Sequence, residues 1–184
     1  MRIVAGKYRG RPLACPEGKN TRPTSDRARE SVFNMLDSRL RKKDLSWADI
    51  TVLDAFAGTG ALGIEALSRG ASRLYAMEKD AWTIACLKDN LKIVEPHQYT
   101  VLAADVLNPP AADEAVDIVF MDPPYRQGLI PAALTALAEK GWIGPQTLCI
   151  IEAEKSEEEL IPNDFTVSDE RKYGKAKILF VFPA

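Results

Sequence analysis

Histidine occurs once and cysteine three times in these 184 residues, and the two scarcities remove whole classes of chemistry. Cys15, Cys86 and Cys149 share neither a metal-binding nor a disulfide spacing, and an odd, scattered set suits a reducing compartment. All three read as packing residues. His97 follows Pro96 in a loop-like stretch and has no second histidine with which to share a metal, so a solvated side chain and no metal centre are expected. No run of eighteen apolar residues is present, and no charged-then-apolar leader stands at the amino end, so the expectation is a cytoplasmic protein with no membrane partner. Internal repeats and low-complexity segments are also missing.

What is there is the composition of an ordinary soluble globule, 46% hydrophobic and 27% charged, with enough chain for one complete core. An α/β domain of this length buries roughly 70% of the surface its unfolded chain exposes. The net charge of −2 hides an asymmetry. Residues 1 to 43 carry twelve Lys and Arg against four acids, a balance of +8, whereas residues 44 to 184 carry twelve against twenty-two, a balance of −10. A basic amino-terminal segment on an acidic body is a local phosphate-binding surface, or simply a solvated tail.

Along the chain, Arg2 to Leu13 alternates weakly and contains Gly6 and Gly10, the pattern of a small β-hairpin. Thr24, Ser25 and Asp26 are N-cap candidates for an amphipathic helix over 25–42, with Ala28, Val32, Met35, Leu36 and Leu40 at helical spacing. From residue 51 the pattern becomes strand (51–56), helix (61–68), strand (73–78), helix (80–94), strand (99–104), a Pro-rich loop, strand (116–121), helix (130–140) and strand (147–153). A short acidic turn or helix (157–160) follows, and then a terminal strand pair (165–170 and 177–182) around Gly174. Repeated βα units predict a mostly parallel sheet closed by an antiparallel hairpin. The organisation expected is a basic arm (1–22), a linking amphipathic helix (23–45) and an α/β core (46–184).

Two turns in this pattern carry chemistry. Gly58-Thr-Gly60-Ala-Leu-Gly63 satisfies G-x-G-x-x-G between a strand and a helix, and Glu78 ends the next strand. Glycines let backbone approach a nucleoside, and the carboxylate accepts from both ribose hydroxyls. A nicotinamide-binding domain shows the same spacing. Asp54 shifts the balance, because an acid four residues before the first glycine would repel a pyrophosphate but suits a cofactor bearing an ammonium and a sulfonium. S-adenosylmethionine is such a cofactor. Asp105, ending the third strand, is placed to accept from the adenine amino group, although Asp54 and Asp105 also fit strand-end turns.

The second turn is Asp122-Pro123-Pro124-Tyr125, closing the apolar run 116–121. Two prolines cannot extend a strand ladder, so the chain leaves the sheet at its carboxyl edge, where open α/β sheets bind ligands. A nucleobase amine is a poor nucleophile because its lone pair is delocalised into the ring. Asp122 and the carbonyl of Pro123 or Pro124 can accept both amino protons and aim that lone pair, while Tyr125 stacks on a base drawn out of its helix. Neither metal nor covalent intermediate is required. Carbon methylation of a pyrimidine would need a cysteine nucleophile, and neither Cys15 nor mid-strand Cys149 is well placed. Glu152 and Glu154, near the end of the fifth strand, are candidates to line the same cleft, with a solvated strand-end acid as the alternative for one of them.

The segments 2–11, 21–34, 53–70 and 122–125 together resemble the RsmD family of bacterial 16S ribosomal RNA guanine-N2 methyltransferases, in order and over nearly the whole chain. The resemblance implies a Rossmann-like, seven-stranded class I methyltransferase with an amino-terminal hairpin. It also implies S-adenosylmethionine as cofactor and 16S ribosomal RNA, within a small-subunit particle or assembly intermediate, as partner. Asp54, Gly58, Gly60, Glu78 and Asp105 match the family's cofactor positions, with Phe56, Ala57, Lys79 and Val106 counted beside them. Asp122, Pro123, Pro124 and Tyr125 match its amino-methylation motif, where the family also uses Phe in the fourth place, so stacking rather than the hydroxyl is the expected role of Tyr125. Lys7, Arg9, Arg11, Arg22, Arg27 and Arg29 are expected to grip RNA phosphates, with pairing of Arg27 and Arg29 to Glu30 and Asp26 as the local alternative. A monomer is expected. The rival readings are an adenine-N6 methyltransferase acting on DNA, a non-catalytic RNA-binding protein on the same fold, and a nicotinamide oxidoreductase.

Overall fold

Apolar residues alternating along the strands build the molecule around one sheet with a core on each face. In the computed structural model, which describes residues 1–14, 26–157 and 161–184, the strands are β1 (Thr51–Asp54), β2 (Arg73–Glu78), β3 (Tyr99–Ala103), β4 (Ile118–Met121), β5 (Leu148–Glu154), β6 (Phe165–Tyr173) and β7 (Ala176–Pro183). They lie in the order β3-β2-β1-β4-β5-β7-β6. The first five are parallel, and β7 runs antiparallel to both β5 and β6. The helices are α1 (Asp26–Lys42), α2 (Ala61–Ser68), α3 (Ala81–Leu91) and α4 (Leu129–Glu139). The order reverses between β1 and β4, so the crevice at their carboxyl ends is the topological switch point of the sheet.

The period of two sorts the strand residues between the cores. Val52, Ile118, Phe120 and Ile150 face α1, α2 and α3, together with Phe33, Leu36, Ile64 and Leu87. Leu53, Val119, Met121, Cys149 and Ile151 face α4, with Leu134, Leu137 and Trp142. All four residues of β4 are buried, as a strand at the centre of a covered parallel sheet must be. Predicted and observed boundaries differ by one to three residues at most ends. The terminal hairpin is longer than its apolar pattern because the sequence Asp169 to Tyr173 pairs with β7 despite its charge. The acidic stretch expected over 157–160 lies mostly outside the described residues.

The amino-terminal segment forms the small hairpin expected of it, and it also packs into the core. Residues 1–3 pair antiparallel with residues 10–13 around the Arg2–Pro12 bridge, Ile3 N–H donating to Arg11 (3.0 Å), Gly10 N–H to Ile3 (2.9 Å) and Leu13 N–H to Met1 (3.0 Å), and Ile3, Tyr8 and Leu13 are buried. Polar groups of α2 satisfy its backbone. Glu65, fully buried, accepts from the N–H groups of Val4 (2.7 Å) and Ala5 (3.0 Å), and Ser68 Oγ accepts from Tyr8 N–H (2.9 Å). Gly6 is required here, since a Cβ would fall 1.8 Å from the Ser68 carbonyl oxygen. Glu65 also pairs with Arg69, which reaches Asp37 at 2.9 Å and lies over the Phe33 ring. A buried acid is tolerable when donors surround it in this way.

One expectation fails in this region. Arg29 is 1% exposed and donates to the Arg2 carbonyl (2.8 Å) and to Asp26 (2.7 Å). It braces α1 against the amino-terminal segment and has no surface to offer a phosphate, because position 29 falls on the helix face that also buries Val32, Phe33 and Leu36. Lys7, Arg9, Arg11 and Arg27 are exposed; Arg22 and the cap candidates Thr24 and Ser25 lie outside the described residues.

Candidate active site

Strand register brings the two turns together. Asp54 at the end of β1 pairs in register with Phe120 of β4, and neighbouring strands are about 4.8 Å apart. Asp122 therefore leaves β4 two residues beyond the partner of Asp54. Met121 in turn pairs with Ile151, so Asp122 follows β4 where Glu152 stands in β5.

The glycine turn is held from below by its own backbone and by acids. Ala55 and Ala57 donate to the carbonyls of Phe120 and Met77, each at 2.9 Å. Gly60 has φ +83° as it opens α2, and a Cβ there would come within 2.6 Å of Leu87 Cδ1, so both conformation and space demand glycine. Asp54 is 1% exposed and its Oδ2 accepts from Gly63 N–H at 3.0 Å. Burial is the main reason that its carboxyl is pushed up to about 7, opposed by that hydrogen bond and reinforced by the charge of Glu78. In the structure Asp54 sits beneath the turn, bonded to its backbone at Gly63.

Glu78 is half-buried and spans the gap from β2 to the turn. Its Oε2 accepts from Gly58 N–H (3.1 Å), and Oε1 accepts from the N–H groups of Lys79 and Asp80 (2.9 Å each). Three backbone donors fix the carboxylate before any ligand arrives. At the next strand end, Asp105 accepts from Leu107 N–H (3.1 Å) and pairs with Lys79 (3.0 Å). Those contacts hold its carboxyl below the usual range, the Leu107 bond contributing most. Lys79 is thus engaged with Asp105. Ala57 and Val106 are buried, Val106 and the half-buried Phe56 against the α4-side core. A hollow of about 530 Å³ lined by residues 101–104 and 108–110 lies beside this edge.

The proline turn is held by side chains of β5. Pro123 is buried, Pro124 exposed, and Asp122 and Tyr125 half-buried. The Tyr125 hydroxyl donates to Glu152 Oε1 at 2.5 Å, so this hydroxyl has a use of its own beyond the stacking expected for the ring. Arg126, at φ +61°, donates its N–H to Glu157 (2.9 Å), and its guanidinium grips both Glu154 oxygens. A non-glycine residue in the left-handed region is uncommon, and these contacts stabilise it. Glu152 is 8% exposed; Glu154 is held below the usual carboxylate range by Arg126.

Several contributors were not evident in the sequence. Asn90 of α3 donates to the carbonyls of Thr59 (2.9 Å) and Ala14 (3.0 Å) and accepts from Ala14 N–H (2.8 Å), tying the glycine turn to the basic segment. Nothing local marks it. Glu65 did leave a signal, being the lone acid in the otherwise apolar or small stretch 61–68. Of the cysteines, Cys149 is buried in β5 with its thiol pushed up to about 12 by burial, which makes it inert as a nucleophile. Cys86 is half-buried, with its thiol toward the Ala14 carbonyl, and Cys15 lies outside the described residues.

Comparison with known proteins bears on the whole chain. The family model described as Conserved hypothetical protein 95 matches residues 1–182. Ribosomal RNA small subunit methyltransferase D of Haemophilus influenzae is 35% identical over 179 residues, which cover 95% of this chain and 89% of that protein. The protein of the same name from Escherichia coli K12 is 36% identical over 155 residues, 84% and 75% of the two chains. The solved structure of yhhF from Escherichia coli superposes with a TM-score of 0.83 at 30% identity, covering 100% of this chain and 97% of that one.

Proposed function

Since the chain belongs to the ribosomal RNA small subunit methyltransferase D family, we propose that it methylates the exocyclic N2 amine of a guanine in 16S ribosomal RNA, with S-adenosylmethionine as donor. The observation that carries this reading is the junction of the glycine turn and Asp122-Pro-Pro-Tyr125 at the switch point between β1 and β4. We further propose that the protein works as a cytoplasmic monomer on a small-subunit particle or assembly intermediate.

The residues present fit the cofactor. Glu78 is a carboxylate oriented by three backbone donors, suited to a ribose diol. The buried acid beneath the turn has its charged form disfavoured, a cost that a cation nearby offsets. When bound, S-adenosylmethionine supplies an electrophilic methyl group on a sulfonium. Glu78 binds, Asp54 keeps the turn in place, and the Lys79–Asp105 pair bounds the far edge; Phe56, Ala57 and Val106 back these positions from the core.

On the substrate side, Asp122 and the Pro123 or Pro124 carbonyl accept the two amino hydrogens, which localises the nitrogen lone pair and aims it for in-line attack. As the new N–C bond forms, the S–CH3 bond would break with its electron pair staying on the sulfur as a neutral thioether, and one of those protons would pass to Asp122 and from there to solvent. The Tyr125 ring supports the extruded base. Exposed Lys7, Arg9, Arg11 and Arg27 supply phosphate contacts that set register without reading sequence; the same role is proposed for Arg22, which lies outside the described residues.

Methyl transfer from labelled S-adenosylmethionine to small-subunit particles from cells lacking the protein, followed by nucleoside analysis, tests the reading. N2-methylguanosine is expected. Label in N6-methyladenine of DNA, with none in the particles, would replace this reading by the rival one. Calorimetry showing no S-adenosylmethionine binding would leave a non-catalytic RNA-binding module.

A further inference from the structure

We propose that the tip of the β6–β7 hairpin is a second RNA phosphate-binding surface, on which Lys155, Lys172 and Lys175 hold the backbone across the crevice from the amino-terminal segment. This inference rests on the reading of the protein as a ribosomal RNA methyltransferase and adds a contact region to it. Residues 171–177 carry four cations and no acid, although the body from residue 44 onward has a balance of −10. Register places this tip. Glu154, the last residue of β5, pairs with Ala176, so the turn at Gly174 stands at the carboxyl edge of the parallel strands, the edge from which Asp122 leaves β4. Met121 pairs with Ile151, so β5 and the tip project three residues past the end of β4, roughly 10 Å at the rise of a strand.

The two basic regions lie on opposite faces of the sheet. Lys177 pairs with Lys172 and with Ala153, and Ala153 belongs to the α4-side core; directly paired residues share a face. Lys155 N–H donates to the Lys175 carbonyl (2.8 Å), which draws those two residues together at the turn. On the other face Tyr173 is hydrogen-bonded to Ser31 of α1 (2.6 Å), and Ile3, Tyr8 and Leu13 of the amino-terminal segment pack into the core on that side. An RNA that crosses the edge to bring a base to Asp122 meets the amino-terminal cations on one face and the tip on the other.

The energetics of the tip favour an anionic ligand over a purely structural role. Lys172 stands directly opposite Lys177, and like charges in that position destabilise a sheet; a polyanion relieves the repulsion. Lys177 is turned to the Glu157 carbonyl and Arg171 pairs with Asp169 (2.7 Å), so neither is counted among the three. Lys172 meets Glu170 at 3.2 Å with both side chains well exposed, a pair of small worth that a phosphate can displace. Lys155 and Lys175 are exposed as well. Of the neighbouring acids, Glu154 is gripped by Arg126 and also feels the charge of Lys175, while Glu157 accepts from the N–H groups of Arg126 and Glu154. Glu158 and Glu159 lie outside the described residues.

Affinity for small-subunit particles from cells lacking the protein, measured against salt, tests the proposal in three proteins. They are wild type, the tip variant Lys155→Ala/Lys172→Ala/Lys175→Ala, and a remote variant Lys88→Ala/Lys92→Ala/Lys140→Ala, which removes the same charge at the carboxyl ends of α3 and α4. The tip variant is expected to bind about tenfold or more weakly at low salt. Its slope of log affinity against log salt should fall by roughly 0.7–0.9 per lost contact, with S-adenosylmethionine Kd and kcat at saturating particle close to wild type. The remote variant should keep the wild-type slope. Combining the tip variant with Lys7→Ala/Arg9→Ala/Arg11→Ala should add the two losses of slope, as separate surfaces do. A tip slope equal to that of wild type, or to that of the remote variant, would overturn the proposal. Lysine-to-RNA cross-linking of the wild-type complex, read by mass spectrometry, should give nucleotide adducts at Lys172 or Lys175; adducts of these lysines to ribosomal protein alone would also overturn it. If the tip variant does not fold, Lys175→Glu against Lys140→Glu decides by the same slopes. Wild type that neither binds nor methylates the particles would instead defeat the underlying reading.

Discussion

The two turns that meet at the switch point are built on opposite plans. The glycine turn is closed from within, its backbone bonded to β2 and β4, a buried acid beneath it at Gly63, and Asn90 on Thr59. The proline turn is tethered from its neighbour, Tyr125 to Glu152 and Arg126 to Glu154 and Glu157, with Pro124 and Arg126 exposed. A small cofactor is best met by a preformed cradle that loses little entropy on binding. A base on a large RNA would arrive from outside, on the side where Pro124 and Arg126 are exposed. On the proposed function, the first turn holds the residues expected to set cofactor affinity and the second those expected to set chemistry.

The largest expected effect breaks that separation or upholds it directly. Asp122→Ala is expected to lower kcat by about a thousandfold, the scale of losing a transition-state positioning group, with the S-adenosylmethionine Kd from calorimetry nearly unchanged. A parallel loss of affinity would mean that the turns are not independent.

The buried acid of the glycine turn offers the next test. A carboxyl raised from 3.8 to about 7 on folding makes the folded state the tighter proton binder between those values. Its stabilising contribution is full below pH 3.8 and is lost as pH rises through 7. Asp54→Asn keeps an acceptor for Gly63 but does not titrate. Urea unfolding from pH 4 to 8 should therefore show the variant gaining on wild type up to about pH 7, by on the order of a few kcal/mol, and then levelling. A constant difference would show that Asp54 is ionised throughout.

Asn90→Ala sharpens the comparison from the other side of the glycine turn. It removes the Thr59 contact and both Ala14 contacts, each buried bond being worth about 1 kcal/mol net. Cofactor Kd is expected to rise about fivefold to tenfold, with kcat at saturating cofactor little changed. Weakest per residue are the surface charges. Replacing Lys7, Arg9 and Arg11 by alanine should reduce the slope of log affinity for RNA against log salt by roughly 0.7–0.9 per lost contact. Adding Arg29→Ala should not reduce it further, although it destabilises the fold.

Much of the architecture was readable because its causes are local. Alternating apolar residues specify strands, Gly60 specifies a left-handed turn, and Pro123-Pro124 ends a ladder; each follows from backbone sterics and a period of two or 3.6. What misled was charge. Counting treats Arg27 and Arg29 alike, yet one is exposed and the other 1% exposed, because helical phase and a carbonyl at Arg2 decide the matter. The amino-terminal pattern suggested the hairpin that forms but not its anchoring, since nothing local announces that Glu65 and Ser68 hold its backbone.

The amino-acid sequence by itself determined the strand order's raw material, the placement of the two turns at strand ends and the residue types brought to the crevice, because these depend on neighbours a few positions apart. Only the tertiary structure decided which charges are spent on the fold and which face solvent, that Asp54 lies under its turn, and that Tyr125 meets Glu152 across 27 positions and Glu65 meets Val4 across 61. Burial and hydrogen-bond partnership belong to the environment of a group, and that environment is assembled by segments that are distant along the chain.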